Sequence, residues 1–186
     1  MVKSKALILC EGGNDIGFLK KFCQYLKLDI KDKIDIQKVS GKSNFFKEIT
    51  YKTIRQKINM GLYSKVLFII DSDSMVNDGI YGGLENTKNE LSKIIRTLKI
   101  EEKSEIFIAC DPLTQEGNLE HLLLSTLETV ERDCILELLD CVLKMEVHSD
   151  KKIVLSSYEA IFKDSPYNLT HSNFDKLKAL LLWVCS

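Results

Sequence analysis

The chain has 186 residues, 45% of them hydrophobic and 28% charged, with a formal net charge of −1. That length and apolar content fit one folded domain with a sizeable core, and exclude a disordered tail, a collagen-like chain or a small staple-dependent scaffold. No run approaches the roughly 18 apolar residues of a membrane span. The apolar run at 6–10 stops at Glu11, too short for a signal-peptide core, so the expected compartment is the cytosol, with no membrane partner.

In chain order, the run at 6–10 ends at Glu11-Gly12-Gly13 and predicts a strand buried on both faces at 5–10. Asn14 opens a helix in which Ile16, Leu19, Phe22, Cys23 and Leu26 recur at spacings of three and four. Ile34, Ile36 and Val39 mark a second strand, closed by Ser40-Gly41. Ser43 is the expected N-cap of a helix carrying Phe46, Ile49 and Ile54. Val66-Leu67-Phe68-Ile69-Ile70 is the clearest strand and ends at Asp71. After a loop with Gly79, Gly82 and Gly83, the positions Leu84, Leu91, Ile94, Ile95 and Leu98 define another amphipathic helix, and a fourth strand is expected at 105–109. Helices follow at 119–124, 130–143, 156–162 and 172–185, the last two joined by a connection around Pro166.

This alternation predicts an α/β fold: a mostly parallel four-stranded sheet flanked by helices over 1–125, with a helical C-terminal extension, 126–186, packed on the same domain. The apolar end Leu180-Leu181-Leu182-Trp183-Val184 is expected to pack back on that domain, with a homodimer contact as the alternative.

The six cysteines contain no Cys-x-x-Cys pair, and His121, His148 and His171 match no metal motif, so neither a zinc site nor a disulfide framework is expected. The cysteines read mainly as small buried hydrophobes. Charge is uneven along the chain: through Lys65 there are fourteen Lys/Arg against six Asp/Glu, and beyond it twelve against twenty-one. A basic flank beside an acidic focus suits a metal site next to a phosphate backbone; a solvated surface is the plainer reading.

Acids stand at two strand ends, where open parallel sheets bind ligands. Glu11 and Asp15 follow the first strand as Glu-Gly-Gly-Asn-Asp, and Asp71 and Asp73 follow the third as Asp-Ser-Asp. Carboxylates gathered at the edge of an apolar core repel one another unless protons or a cation intervene. Hard divalent ions accept oxygen ligands of this kind. Taken alone, Asp15 is better explained by first-turn helix chemistry than by metal binding.

Glu-Gly-x-x-Asp after strand one and hydrophobic-Asp-x-Asp after strand three resemble the TOPRIM domain of topoisomerases, DnaG-type primases, RecR-type recombination proteins, ribosomal-RNA maturases and the OLD family of nucleases. The resemblance covers roughly residues 5 to 125. The stretch Gly117-Asn118-Leu119-Glu120-His121-Leu122-Leu123-Leu124 is similar to a Gly-x-Leu-Glu-x-Leu-Leu segment in a small uncharacterised TOPRIM-like family of bacteria and archaea related to the OLD nucleases. The resemblance implies a Rossmann-like TOPRIM fold and a Mg²⁺- or Mn²⁺-dependent nuclease acting on DNA or RNA. It assigns Glu11 as general acid or base and metal contact, Asp71 and Asp73 as metal ligands, and Asp15 as the second acid of the OLD type. Glu120 becomes a further ligand or a helix anchor. Gly12, with Gly13, is implied to supply the tight backbone turn beneath the site. The lysine that OLD nucleases use beyond the acids corresponds to Lys176 or Lys178. Lys38, Lys42 and Lys47, near the end of the second strand, are expected to guide a phosphate backbone.

Departures from the better-known members narrow this reading. No gate domain with a nucleophilic tyrosine and no primase zinc or polymerase region is seen in this sequence, and the ATPase domain fused to OLD-type TOPRIM domains is also missing. That leaves either a separate ATPase partner or independent action. Gly41-Lys42-Ser43 is no P-loop, because the glycine required five positions earlier is Ile36; Lys42 then reads as a surface residue or a backbone-contacting cation. Two alternatives stand beside the nuclease. One is a non-catalytic TOPRIM scaffold or regulatory subunit in a nucleic-acid-processing or defence complex. The other is a haloacid-dehalogenase-type phosphatase, although that chemistry places its Asp-x-Asp after the first strand.

Overall fold

A computed structural model of the chain describes residues 4–143, 151–161 and 167–186. Its sheet has four strands, β1 (Lys5–Cys10), β2 (Ile34–Lys38), β3 (Tyr63–Asp71) and β4 (Ser104–Ala109), all parallel, in the order β2-β1-β3-β4. Helices α1 (Gly13–Tyr25), α2 (Lys42–Phe45), α3 (Lys52–Asn59) and α4 (Leu84–Leu98) lie between the strands. Beyond β4 come α5 (Leu119–Leu124), α6 (Thr129–Leu143), α7 (Lys151–Ile161) and α8 (Asp175–Cys185). The expected α/β architecture with a helical C-terminal part is the one the chain forms. Phe162 and the connection around Pro166 lie outside the described residues.

The two faces of the sheet follow the period-two alternation of each strand. Ala6, Ile8 and Cys10 of β1, with Leu67, Ile69, Phe107 and Ala109, face one core shared with Leu19, Phe22 and Cys23 of α1. The same core takes in Leu119 and Leu122 of α5, Ile135 of α6, Val154 and Tyr158 of α7, and Leu177, Leu181 and Val184 of α8. Leu7, Leu9, Val66, Phe68, Ile70 and Ile108 face the opposite core, against Ile54, Ile58, Leu91, Ile95 and Leu98 from α3 and α4. Each large apolar side chain buried this way contributes roughly 1.5–3 kcal/mol. The apolar C-terminus packs back on the sheet, and Lys65 fixes its end by donating to the Trp183 carbonyl at 2.7 Å and to Ser186 Oγ at 2.8 Å.

Two expectations need correction. The single helix capped by Ser43 is three pieces: α2, a 3-10 turn over Glu48–Tyr51, and α3. Gly41, at φ 103°, caps α2, and Tyr51 turns inward to donate its hydroxyl to the Phe45 carbonyl at 2.8 Å, so burial of Phe45 and Tyr51 overrides helical continuity. Ile49, expected on the apolar face, is exposed. The cysteines also divide: Cys10 and Cys23 are buried, Cys110 and Cys185 half-buried, and Cys134 and Cys141 exposed, so only two are core hydrophobes.

The strand order reverses direction between β1 and β3, which are neighbours at the centre of the sheet. This is the switch point beyond whose carboxyl edge parallel α/β sheets bind ligands.

Candidate functional site

Glu11 follows β1 directly and Asp71 closes β3, so the register of these two strands sets both acids at the switch point. Asp73 lies two residues on, at φ 52°, a left-handed conformation that Asp adopts more readily than most residues. Three bonds from the end of β4 and the β4–α5 loop hold the Asp-Ser-Asp turn. Ser72 N–H donates to the Ala109 carbonyl at 3.0 Å, Ser72 Oγ to the Gln115 carbonyl at 3.0 Å, and Asp73 N–H to the Gly117 carbonyl at 2.6 Å. In return Leu119 N–H, at the start of α5, donates to Asp71 Oδ1 at 3.2 Å.

Asp15 sits in the first turn of α1 and its Oδ2 accepts the Gly12 N–H at 2.7 Å. The first-turn capping role is therefore real, and it leaves Asp15 within electrostatic reach of Glu11, Asp71 and Glu120. Burial raises the Asp71 carboxyl well above the ordinary range, and the charges of Asp15, Glu11, Asp73 and Glu120 push it the same way. Glu11 is raised by burial and then by Asp73 and Asp15, opposed by the ammonium and backbone N–H of Lys42. Asp15 is raised by burial and by Glu120, against hydrogen bonds from the Gly12 and Glu11 backbone and the charge of Lys38. Each of the five acids singled out in the sequence is thus within electrostatic reach of Asp71 or is Asp71 itself.

Glu11 Oε2 is buried there without a hydrogen-bond partner. Leaving such an atom unpartnered costs about 1–3 kcal/mol, and more in a charged group. A small cavity of about 10 Å³ touches Asp15, Asp71, Phe18, Ile69, Leu119 and Leu177, but the surface it exposes is apolar, so it is not itself an ion site. The donor set is all oxygen, which matches Mg²⁺ or Mn²⁺ rather than a soft metal. Among the described residues no three His, Cys, Asp or Glu side chains are grouped closely enough to hold a metal ion as they stand. Ion binding therefore requires carboxylate rotamers to draw inward.

Lys42, expected with Lys38 and Lys47 to guide a phosphate backbone, is instead turned into the protein. It is no surface residue: only 7% of its side chain is exposed. Its ammonium donates to the Ser72 carbonyl at 2.6 Å and to Asp73 Oδ2 at 3.1 Å, and lies 3.8 Å from Asp78. The backbone-contacting alternative is the one the chain adopts. Lys38 and Lys47 are exposed, Lys38 near enough to act on Asp15 and Lys47 bonded to Asn44 Oδ1 at 3.0 Å. Phe46 and Tyr81 stack with ring centroids 4.1 Å apart, tying the loop after α2 to the β3–α4 loop. Lys176 and Lys178 are both exposed on α8. Lys176 acts on Cys110 at the end of β4, and neither lysine ranks among the leading charges on Glu11, Asp15 or Asp71.

The glycines at the site also differ from expectation. Gly12 is extended, at φ −127° and ψ 176°, and an added Cβ would meet only Asp15 Oδ2 at 3.6 Å. Gly13 opens α1 with nothing within 4 Å of such a Cβ. Neither position demands glycine. Gly117 does demand it, at φ 102° with a Cβ that would lie 2.5 Å from the His121 ring, and so does Gly82 in the β3–α4 loop, where a Cβ would meet the Asp78 and Ser74 carbonyls.

The chain is an α/β protein with a four-stranded parallel sheet and acids at the carboxyl ends of its two central strands. The chain belongs to the family described as protein of unknown function DUF3226, whose model matches residues 5–164. No curated protein and no solved structure matches it. Among the described residues, no helix is long and apolar enough to cross a membrane.

Proposed function

We propose that this chain is a divalent-metal-dependent nuclease of the TOPRIM type, related to the OLD nucleases, that hydrolyses phosphodiester bonds of DNA or RNA. The observation that carries the reading is the placement of Glu11 and Asp71 at the carboxyl ends of the two central strands, with Asp15, Asp73 and Glu120 within electrostatic reach of Asp71 and Glu11 Oε2 buried and unpartnered. Glu11, Asp15, Asp71 and Asp73 would hold Mg²⁺ or Mn²⁺, with Glu120 beside them. When bound, such an ion polarises the phosphate and stabilises the departing oxygen.

The chain's own groups do the rest. The raised Glu11 carboxyl suits a group that takes a proton from water or returns one to the leaving oxygen. The loop bonds to Ser72 and Asp73 fix the acids in advance, which limits reorganisation during reaction. The exposed Lys38 and Lys47 meet the phosphate backbone at the cleft's edge, so binding weakens as salt rises.

The open spacing of the carboxylates favours one second reading, a scaffold that keeps the acids without catalysis. Cleavage of single- and double-stranded DNA and RNA with Mg²⁺ or Mn²⁺ separates them, comparing wild type with Glu11→Gln and Asp71→Asn. The nuclease reading expects activity in wild type and its loss in both variants. Activity that survives both substitutions would overturn the acid-site reading, whereas activity confined to small phosphate monoesters and lost in Asp71→Asn would move the assignment to a phosphatase. Silence on all substrates would leave the scaffold.

A further inference from the structure

Lys42 is a lysine that the fold has withdrawn from water. Gly41, at φ 103°, reverses the chain after β2, and the next residue opens α2 with its side chain directed under the β3–α4 loop. A buried ammonium is tolerated only when it is paired and hydrogen-bonded. Here the Ser72 carbonyl, Asp73 and Asp78 receive it. The Ser72 carbonyl belongs to the residue between Asp71 and Asp73, so the ammonium grips the Asp-Ser-Asp turn itself. Its charge also reaches Glu11. The cleft thus already holds one cation, covalently supplied, on a carboxylate that the nuclease reading gives to a metal.

Resting on that reading, we propose that Lys42 is the resident counter-cation of the cleft and competes with the divalent ion for Asp73. In the metal-free protein it neutralises Asp73 and keeps the turn in place. When the ion arrives, Asp73 exchanges partners and the ammonium stays anchored on the Ser72 carbonyl. Lys42 is accordingly a positioning residue, and it weakens metal binding while shaping the site that binds it.

Calorimetric Mn²⁺ titration of the full chain tests this, with wild type, Lys42→Gln, Lys42→Met and Lys42→Arg. Gln keeps a donor for the Ser72 carbonyl, and Met keeps the packing of the stem should Gln fail to fold. The neutral variants should bind Mn²⁺ roughly 3- to 10-fold more tightly than wild type, the range expected for removing one partly screened ion pair. Arg, which retains the charge, should stay near wild type. In an Asp73→Asn background the gain should shrink to the part exerted through Glu11, which a merely structural role of Lys42 does not produce. Equal or weaker Mn²⁺ binding in the neutral variants, or an undiminished gain without Asp73, overturns the proposal while leaving the nuclease reading intact. A wild-type protein that binds no Mn²⁺ overturns both.

Discussion

The backbone N–H of Asp73 donates to the carbonyl of Gly117 across 2.6 Å, and this bond joins the β3–α4 loop to the β4–α5 loop at the mouth of the acidic cleft. Both residues have positive φ, 52° for Asp73 and 102° for Gly117. A non-glycine residue held there costs on the order of 1–3 kcal/mol, and such conformations persist where surrounding bonds over-determine them. Asp73 is held by Gly117 on one side and Lys42 on the other.

Gly117→Ala should therefore destabilise the protein by about 1–3 kcal/mol, because the added Cβ meets the His121 ring as well as an unfavourable φ. Gly12→Ala, at an ordinary extended φ with only an ordinary contact to Asp15, should cost under about 1 kcal/mol. Urea unfolding of the two variants checks this. The reverse ranking would mean that the tight turn lies beneath β1 after all.

Much of the fold was readable because β1 and β3 are continuous apolar runs buried on both faces, a pattern that tertiary context seldom overturns. The acids were readable because a strand end followed by Asp or Glu fixes where the side chain lies relative to the sheet. Lys42 was not, since its burial depends on partners thirty and thirty-one residues away that no local pattern announces. The break between α2 and α3 was hidden for the same reason: Tyr51 and Phe45 are drawn to the core by a surface that the sequence alone does not display. Gly117 carried a weaker signal, a glycine just ahead of the Asn118 cap of α5.

The pH dependence of the chelated protein should report the strained acids. Asp71 is raised by burial and by its acidic neighbours, so the folded chain holds that proton more firmly than the unfolded chain does. Stability from this group is fully present below the ordinary carboxyl value of 3.8 and is lost as pH rises from there through the raised folded value. Glu11 and Asp15 act in the same direction. In EDTA, the stability of Asp71→Asn relative to wild type should increase as pH rises above 3.8. A difference that is flat or declining over that range contradicts the crowding of charge at Asp71.

The packing of α8 makes a simpler prediction. Leu181 is fully buried against the sheet, whereas Leu182 is about half exposed. Leu181→Ala should cost about 2–5 kcal/mol and Leu182→Ala under about 1 kcal/mol in denaturant titrations. Comparable large losses at both positions, together with concentration-dependent melting, would indicate that α8 also joins two copies of the chain.

The account rests most heavily on the carboxylates acting as one divalent-ion site. Calorimetric titration of Mn²⁺ into wild type and into the Asp71→Asn/Asp73→Asn double variant measures that directly. The account predicts saturable binding to the wild-type protein and its loss in the double variant, with both proteins folded by circular dichroism. Equal Mn²⁺ affinity in the two proteins would contradict it.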